Sequence, residues 1–265
     1  MIEVIRKTRL TITIISLTAI VFILAEQSHA KIDPETILGI WRLDENKGGV
    51  ARDSSKNSRD GKITGSLKVV KAKFNKGFEF EGKLNNYVSV PHDKSLNLAD
   101  FTITYWSKMG VSGKWQIPVQ KIDTAAGGSH RNVDFQTPPA GGNVSVYFSQ
   151  GANQWKGAIG KTVVSDEKWH HTAGSYDGKK LLLYVDGVQE AEGDHKGKPD
   201  FMDDPLMLGG GTIWPFKGII DDVGLFNKAL SADDIKNIMN DGLSSTLAVV
   251  SSLGKLTTTW AEIKQ

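Results

Sequence analysis

The sequence holds 265 residues, with 32 Lys and Arg against 30 Asp and Glu, a net charge of +2 and no cysteine. A small disulfide-stapled domain and a thiolate metal centre are therefore excluded. So even a charge balance argues against nucleic acid as a partner, because phosphate recognition draws on clustered Lys and Arg.

At the start of the chain, Arg6, Lys7 and Arg9 precede an uncharged apolar run over residues 10–25, followed by Glu26, Gln27, Ser28, His29 and Ala30. A basic start, an apolar middle and small residues before a cut are the layout of a secretory signal. Residues 1–30 are thus expected to be a signal peptide cleaved after Ala30. The alternative is an uncleaved anchor, although a run of this length stops just short of the roughly 17–25 residues that span a bilayer. No second apolar stretch is long enough to span, so no membrane span is expected after cleavage. The mature chain is expected to be secreted, periplasmic or at the cell surface. An exported domain without cysteine must be held by its core or by a metal.

From Lys31 onward, short runs rich in Val, Ile, Phe, Tyr and Trp alternate with Gly, Asp, Asn and Pro, and the 28 glycines imply many turns. This spacing reads as an all-β sandwich. Phe101, Ile103 and Tyr105 alternate with Thr102 and Thr104, as on a half-buried strand. Asp186-Gly187 between two apolar runs signals a two-residue hairpin turn. Near the end, Ser231 is a helix cap with Asp234 three residues on, Ile235, Ile238 and Met239 form an apolar stripe, and Gly242 closes the helix. The globular domain is placed at residues 31–242. Residues 243–265 are a C-terminal extension, read as a strand plus a tail or as a flexible tail.

Several motifs stand in a definite order. Gly39-Ile40-Trp41-Arg42-Leu43-Asp44-Glu45 precedes Arg52-Asp53-Ser54-Ser55-Lys56-Asn57, then Gly77-Phe78-Glu79-Phe80-Glu81-Gly82 and Tyr87-Val88-Ser89-Val90-Pro91. Further on come Lys168-Trp169-His170-His171, Leu183-Tyr184-Val185-Asp186-Gly187, and Gly218-Ile219-Ile220-Asp221-Asp222-Val223 running into Phe226-Asn227-Lys228-Ala229-Leu230-Ser231. The ordered series resembles the laminin-G-like (LamG) jelly-roll domains of the concanavalin A-like lectin and glucanase superfamily, from about residue 37 to 242. The resemblance implies a two-sheet antiparallel jelly-roll sandwich with one short C-terminal helix. It lapses over residues 127–142, a Gly- and Pro-rich stretch whose strands stay undefined, and in the C-terminal extension.

One such scaffold hosts lectins, glycosidases and adhesion domains, so function must be read from sites. The glucanases of the superfamily carry Glu-x-Asp-x-x-Glu or Glu-x-Asp-x-Glu, and neither occurs. Glu79 with Glu81, and Glu190 with Glu192 and Asp194, alternate but read as solvated strand faces. Asp221 and Asp222 are neighbours and on a regular strand face opposite ways. By the same rule one of His170 and His171 is expected to be buried and the other exposed. No catalytic residue is assigned.

The resemblance also implies a structural calcium ion held by Asp53 and one of Asp221 or Asp222, with Asn57 or carbonyl oxygens completing the shell, since Ca²⁺ takes six to eight oxygens. Read without the resemblance, Asp53 serves equally as an Asx-turn residue. Trp41, Trp106 and Trp169 fall in packing motifs. Trp115, Trp155 and Trp214 lie elsewhere, as rim-packing residues or as platforms on which a sugar ring stacks. The expectation is an exported, non-catalytic domain that binds carbohydrate. An extracellular protein-protein adhesion or scaffold role is the alternative, and a glycoside hydrolase of the same fold the third.

Overall fold

The computed structural model describes residues 32–45 and 49–263, with side chains to residue 248. The signal-peptide expectation for residues 1–30 lies outside the described residues.

Among the described residues the first eight strands are β1 (Ile37–Trp41), β2 (Val50–Ala51), β3 (Gly61–Thr64), β4 (Lys68–Lys71), β5 (Lys76–Glu81), β6 (Tyr87–Val90), β7 (Phe101–Met109) and β8 (Val119–Ile122). The second half supplies β9 (Arg131–Gln136), β10 (Asn143–Ser149), β11 (Trp155–Val163), β12 (Trp169–Tyr176), β13 (Lys180–Val185), β14 (Val188–Asp194), β15 (Leu206–Leu208) and β16 (Lys217–Phe226). They form two antiparallel sheets. Sheet 1 runs β14-β13-β12-β7-β16-β5-β4, with β1 also paired to β16, and sheet 2 runs β11-β10-β9-β8-β15-β6-β3-β2. This is the expected jelly-roll sandwich.

Period-2 alternation decides what each face carries. Phe101, Ile103 and Tyr105 point between the sheets, where they meet Val133, Phe135, Val144, Val146 and Phe148 of sheet 2. The Tyr105 and Phe135 rings meet edge to face at 5.3 Å, and Gly174 is needed there because a Cβ would lie 2.7 Å from Phe135. Trp41 is buried in the same core and donates its indole N–H to the Arg59 carbonyl at 2.9 Å. Between β13 and β14, Asp186 and Gly187 both take positive φ, 49° and 75°, and Val185 pairs with Val188 around them. That is the two-residue hairpin the dipeptide signals. The Lys-rich β4 is the terminal strand of sheet 1, where charge discourages pairing with another chain.

The C-terminal helix α1 spans Ala232–Ile263, broken at Gly242 (φ 73°, ψ 167°). Its start is a reciprocal cap: Ser231 Oγ accepts from the Asp234 N–H and the Asp234 carboxylate accepts from the Ser231 N–H. The helix breaks at Gly242 as expected, while the expected strand or tail after it is corrected, since helical structure resumes beyond the glycine. The reason is spacing: Ile235, Ile238, Leu243 and Leu247 keep one face apolar across the break, and they pack on Ile40, Ala173, Tyr184 and Phe226 of sheet 1. Burying each such side chain contributes about 1.5–3 kcal/mol. The part of the outer face of sheet 1 around Ile40, Ala173, Tyr184 and Phe226 is thereby covered.

Candidate binding cleft

On the outer face of sheet 2 the three tryptophans set apart in the sequence come together. Trp115, Trp155 and Trp214, with Ile117, Arg131, Gln136 and Tyr147, line a cleft of about 240 Å³. Each indole arrives by a different route. Trp115 sits in the loop after β7, pinned because its neighbour Gln116 exchanges two backbone hydrogen bonds with Thr137 just beyond β9, at 3.0 and 2.9 Å. Trp155 opens β11 opposite Ser149. Trp214 lies between β15 and β16 in a left-handed conformation, φ 50°. Its ring rests so near Gly128 that a Cβ there would be 3.4 Å away.

Tyr147 lines the cleft from a cross-strand row, Met207, Gln120, Asp134, Tyr147 and Gly157. Gly157 is a requirement of this row, because a Cβ would fall 2.3 Å from the Tyr147 ring. Arg131 reaches the floor through an irregularity. Lys121 pairs with Val133, but Ile122 pairs with Arg131, so β9 holds one extra residue, Asn132. Strict alternation would send Arg131 inward with Val133 and Phe135, whereas this bulge returns it to the outer face beside Asp134. Asn132 is secured separately, accepting from the Leu98 N–H at 3.0 Å and donating to the Leu98 and Asp200 carbonyls.

The Arg131 side chain is 1% exposed and forms an ion pair with Asp134, which is also buried. Gln136 donates its amide to the same carboxylate. The guanidinium carbon lies 4.2 Å from the Trp155 ring centre and 5.4 Å from that of Trp214, a cation–π sandwich. Burial lowers its pKa to about 10, so it stays charged at neutral pH. Trp115 and Trp155 are 43% and 48% exposed, which is high for a residue type usually mostly buried.

The four residues expected to hold calcium are engaged otherwise. The Asp53 carboxylate accepts from the N–H groups of Ile40, Ser55 and Arg59 and from the Ser55 hydroxyl, at 2.8–2.9 Å. Asn57 turns its amide N–H groups to the carbonyls of Ile37 and Leu38. Asp221 accepts from the Phe74 N–H at 2.7 Å and Asp222 from the Leu243 N–H at 2.6 Å. Burial raises the pKa values of Asp221 and Asp222 to about 8 and about 6. Among the described residues no three His, Asp or Glu side chains cluster as metal ligands.

Two strand-parity expectations are corrected. Asp221 and Asp222 do not face opposite ways. Asp222 takes φ 52° inside a register shift between Asp221 and Gly224, and both carboxyls hold the backbone that covers sheet 1. His170 and His171 are both buried. His170 lies between Asp186 at 2.7 Å and Asp166 at 3.1 Å, while His171 packs on Trp106 at 5.3 Å. The alternating acids are likewise bound up: Glu81 with Lys68 and Lys83, Glu192 with Lys180, and Glu190 with the N–H groups of Lys161 and Thr162.

A two-sheet antiparallel jelly roll with an aromatic cleft on one outer face defines the class of protein. The chain belongs to the concanavalin A-like lectin/glucanases superfamily, whose Laminin_G_3 family model matches residues 81–236. No curated protein sequence matches it. Among solved structures it is similar to domain 4 of AbnA, a GH43 extracellular arabinanase from Geobacillus stearothermophilus, in complex with arabinotriose. The identity is 20% and the TM-score 0.62, covering 77% of this chain and 98% of that domain. It is also similar to the binding domain of Paraclostridial mosquitocidal protein 1 (15% identity, TM-score 0.64, 78% of this chain and 52% of that one). The binding domain of botulinum neurotoxin DC in complex with SialylT gives 12% identity and a TM-score of 0.63, over 79% and 52%. The chain spans about half the length of these two toxin domains, and all three likenesses are of fold. Among the described residues no helix is long and apolar enough to cross a membrane.

Proposed function

We propose that this is an exported, non-catalytic carbohydrate-binding domain whose ligand sits in the cleft of Trp115, Trp155 and Trp214. The observation that carries this reading is the convergence of three indoles from three separate segments on one cleft, two of them more than 40% exposed. Large apolar surface is left in water only where something uses it, and indole faces match the apolar faces of sugar rings. The bound arabinotriose and SialylT of the two structural neighbours agree with this use of the fold. The non-catalytic part rests on the lining. Glycoside hydrolysis uses two carboxyl groups flanking the bond, and the residues lining this cleft include no Asp or Glu among the described residues.

The test is binding of full-length protein to a glycan array, repeated with Trp115→Ala and Trp155→Ala. A glycan bound by the native protein and weakened about tenfold or more by either change is expected, since loss of one stacking aromatic removes about 1–3 kcal/mol. An array without a hit would overturn the reading.

A further inference from the structure

The cleft floor carries a charged group whose hydrogen-bonding capacity is only half used. Arg131 forms its ion pair through Nη1. Its Nε is buried and has no acceptor among the described residues. An arginine offers two N–H edges, and the edge formed by Nε and Nη2 is a fork that fits a carboxylate in a bidentate manner. The partner that neutralises the other edge, Asp134, is fully buried and does not line the cleft. Gln136 has spent its amide on that same carboxylate. The charged group that an entering ligand meets is therefore Arg131, oriented by the indoles of Trp155 and Trp214 at 4.2 and 5.4 Å.

Three physical points favour an anion over a neutral hydroxyl at this edge. An unpaired N–H on a buried cation forfeits the full desolvation cost of that group until an acceptor arrives. A charge-assisted bond in a low-dielectric site is stronger than one to a hydroxyl. Flanking indoles shield the guanidinium from water without competing for its N–H groups. Size sets the other limit. At about 240 Å³ the cleft lies below the roughly 300–1,000 Å³ of pockets that enclose drug-sized ligands, so it takes one ring and leaves the rest of a chain outside.

Resting on the reading of the cleft as a glycan site, we infer that its ligand is a carboxylate-bearing sugar unit, with the carboxylate on the Nε/Nη2 edge of Arg131 and the ring against Trp115 or Trp155. Uronic acids and sialic acids share this chemistry.

Calorimetric titration of the full chain with matched pairs separates the outcomes: trigalacturonate against its methyl ester, a glucuronate-capped disaccharide against its methyl ester, and sialyllactose against lactose. The expected result is that at least one acidic member binds about tenfold or more tighter than its neutral partner, the scale of a hydrogen bond to a charged group. Which pair shows the preference tells uronate from sialate. Arg131→Lys, which keeps the charge and loses the fork, should reduce that preference. If sugars bind and no acidic member is preferred, this inference is overturned and the glycan reading stands. If neither acidic nor neutral sugars bind, here or on the array, the glycan reading itself falls. The ester comparison needs no variant, so it decides the matter even if Arg131→Lys fails to fold.

Discussion

The two outer faces of the sandwich carry similar chemistry and opposite cover. On sheet 1, Lys73 lies 3.9 Å over the Trp106 ring, with His171 and Asp221 as the cross-strand neighbours of that tryptophan. On sheet 2, Arg131 lies 4.2 Å from the Trp155 ring, with Asp134 and Tyr147 in the row beside it. Both faces thus offer a cation on an indole and a carboxyl group nearby. Sheet 1 is covered in part by α1 and by the turn at Phe74, whose backbone amides are held by Asp222 and Asp221. Over Trp115 and Trp155 on sheet 2 there is no such cover among the described residues. Aromatic and charged residues on a β-sheet therefore do not by themselves make a site. What decides is whether a later segment of chain brings an apolar stripe to lie on them.

The comparison can be broken most severely at the ion pair of sheet 2. Asp134→Ala leaves Arg131 as an uncompensated buried cation, and a loss of about 3–5 kcal/mol in urea unfolding is expected. A normal unfolding midpoint for this variant would mean that water already reaches the guanidinium.

On sheet 1 the corresponding weak point is acid. Burial, with Lys73 nearby, depresses the His171 pKa from 6.5 to about 3. The unfolded chain takes up this proton near pH 6.5 and the folded chain only near pH 3, so stability contributed above pH 6.5 is lost as pH falls towards 3. By pH 4 that loss amounts to about 3 kcal/mol. His171→Phe removes it, and thermal melts of the two proteins should converge or cross between pH 7 and pH 4. Parallel pH profiles would contradict the assignment.

The smallest change sharpens the comparison rather than breaking it. Gly157→Ala pushes on the Tyr147 ring from below and should cost about 1–3 kcal/mol. It should also weaken glycan binding, while the sheet 1 face and its acid response remain as they were.

Much of this was legible in the sequence. Alternation placed Phe101, Ile103 and Tyr105 in the core, Asp186-Gly187 gave the hairpin, and Ser231 with Asp234 gave the helix start, because each signal is local. Trp115, Trp155 and Trp214 were separable from the core indoles by their Gly-, Lys- and Pro-rich surroundings, but their convergence was not legible, since it depends on three distant segments. Arg131, Gln136 and Tyr147 were missed altogether. Arg131 and Gln136 lie inside residues 127–142, where the family pattern lapses, and that lapse was itself the available signal. Asp221, Asp222 and His171 were misjudged for a common reason. Parity rules assume a regular strand with one exposed face, whereas a register shift and a covering helix remove one assumption each.

The extra residue in β9 has a consequence for how such a cleft changes over generations. Because Asn132 resets the alternation, the chemistry facing the ligand is set by where along the strand the surplus residue falls, with no exchange of side chains. Insertion or loss of a single codon would swap an inward set for an outward one in one step. A lineage of these domains thereby has a route to new ligands that leaves the opposite sheet and its helical cover untouched.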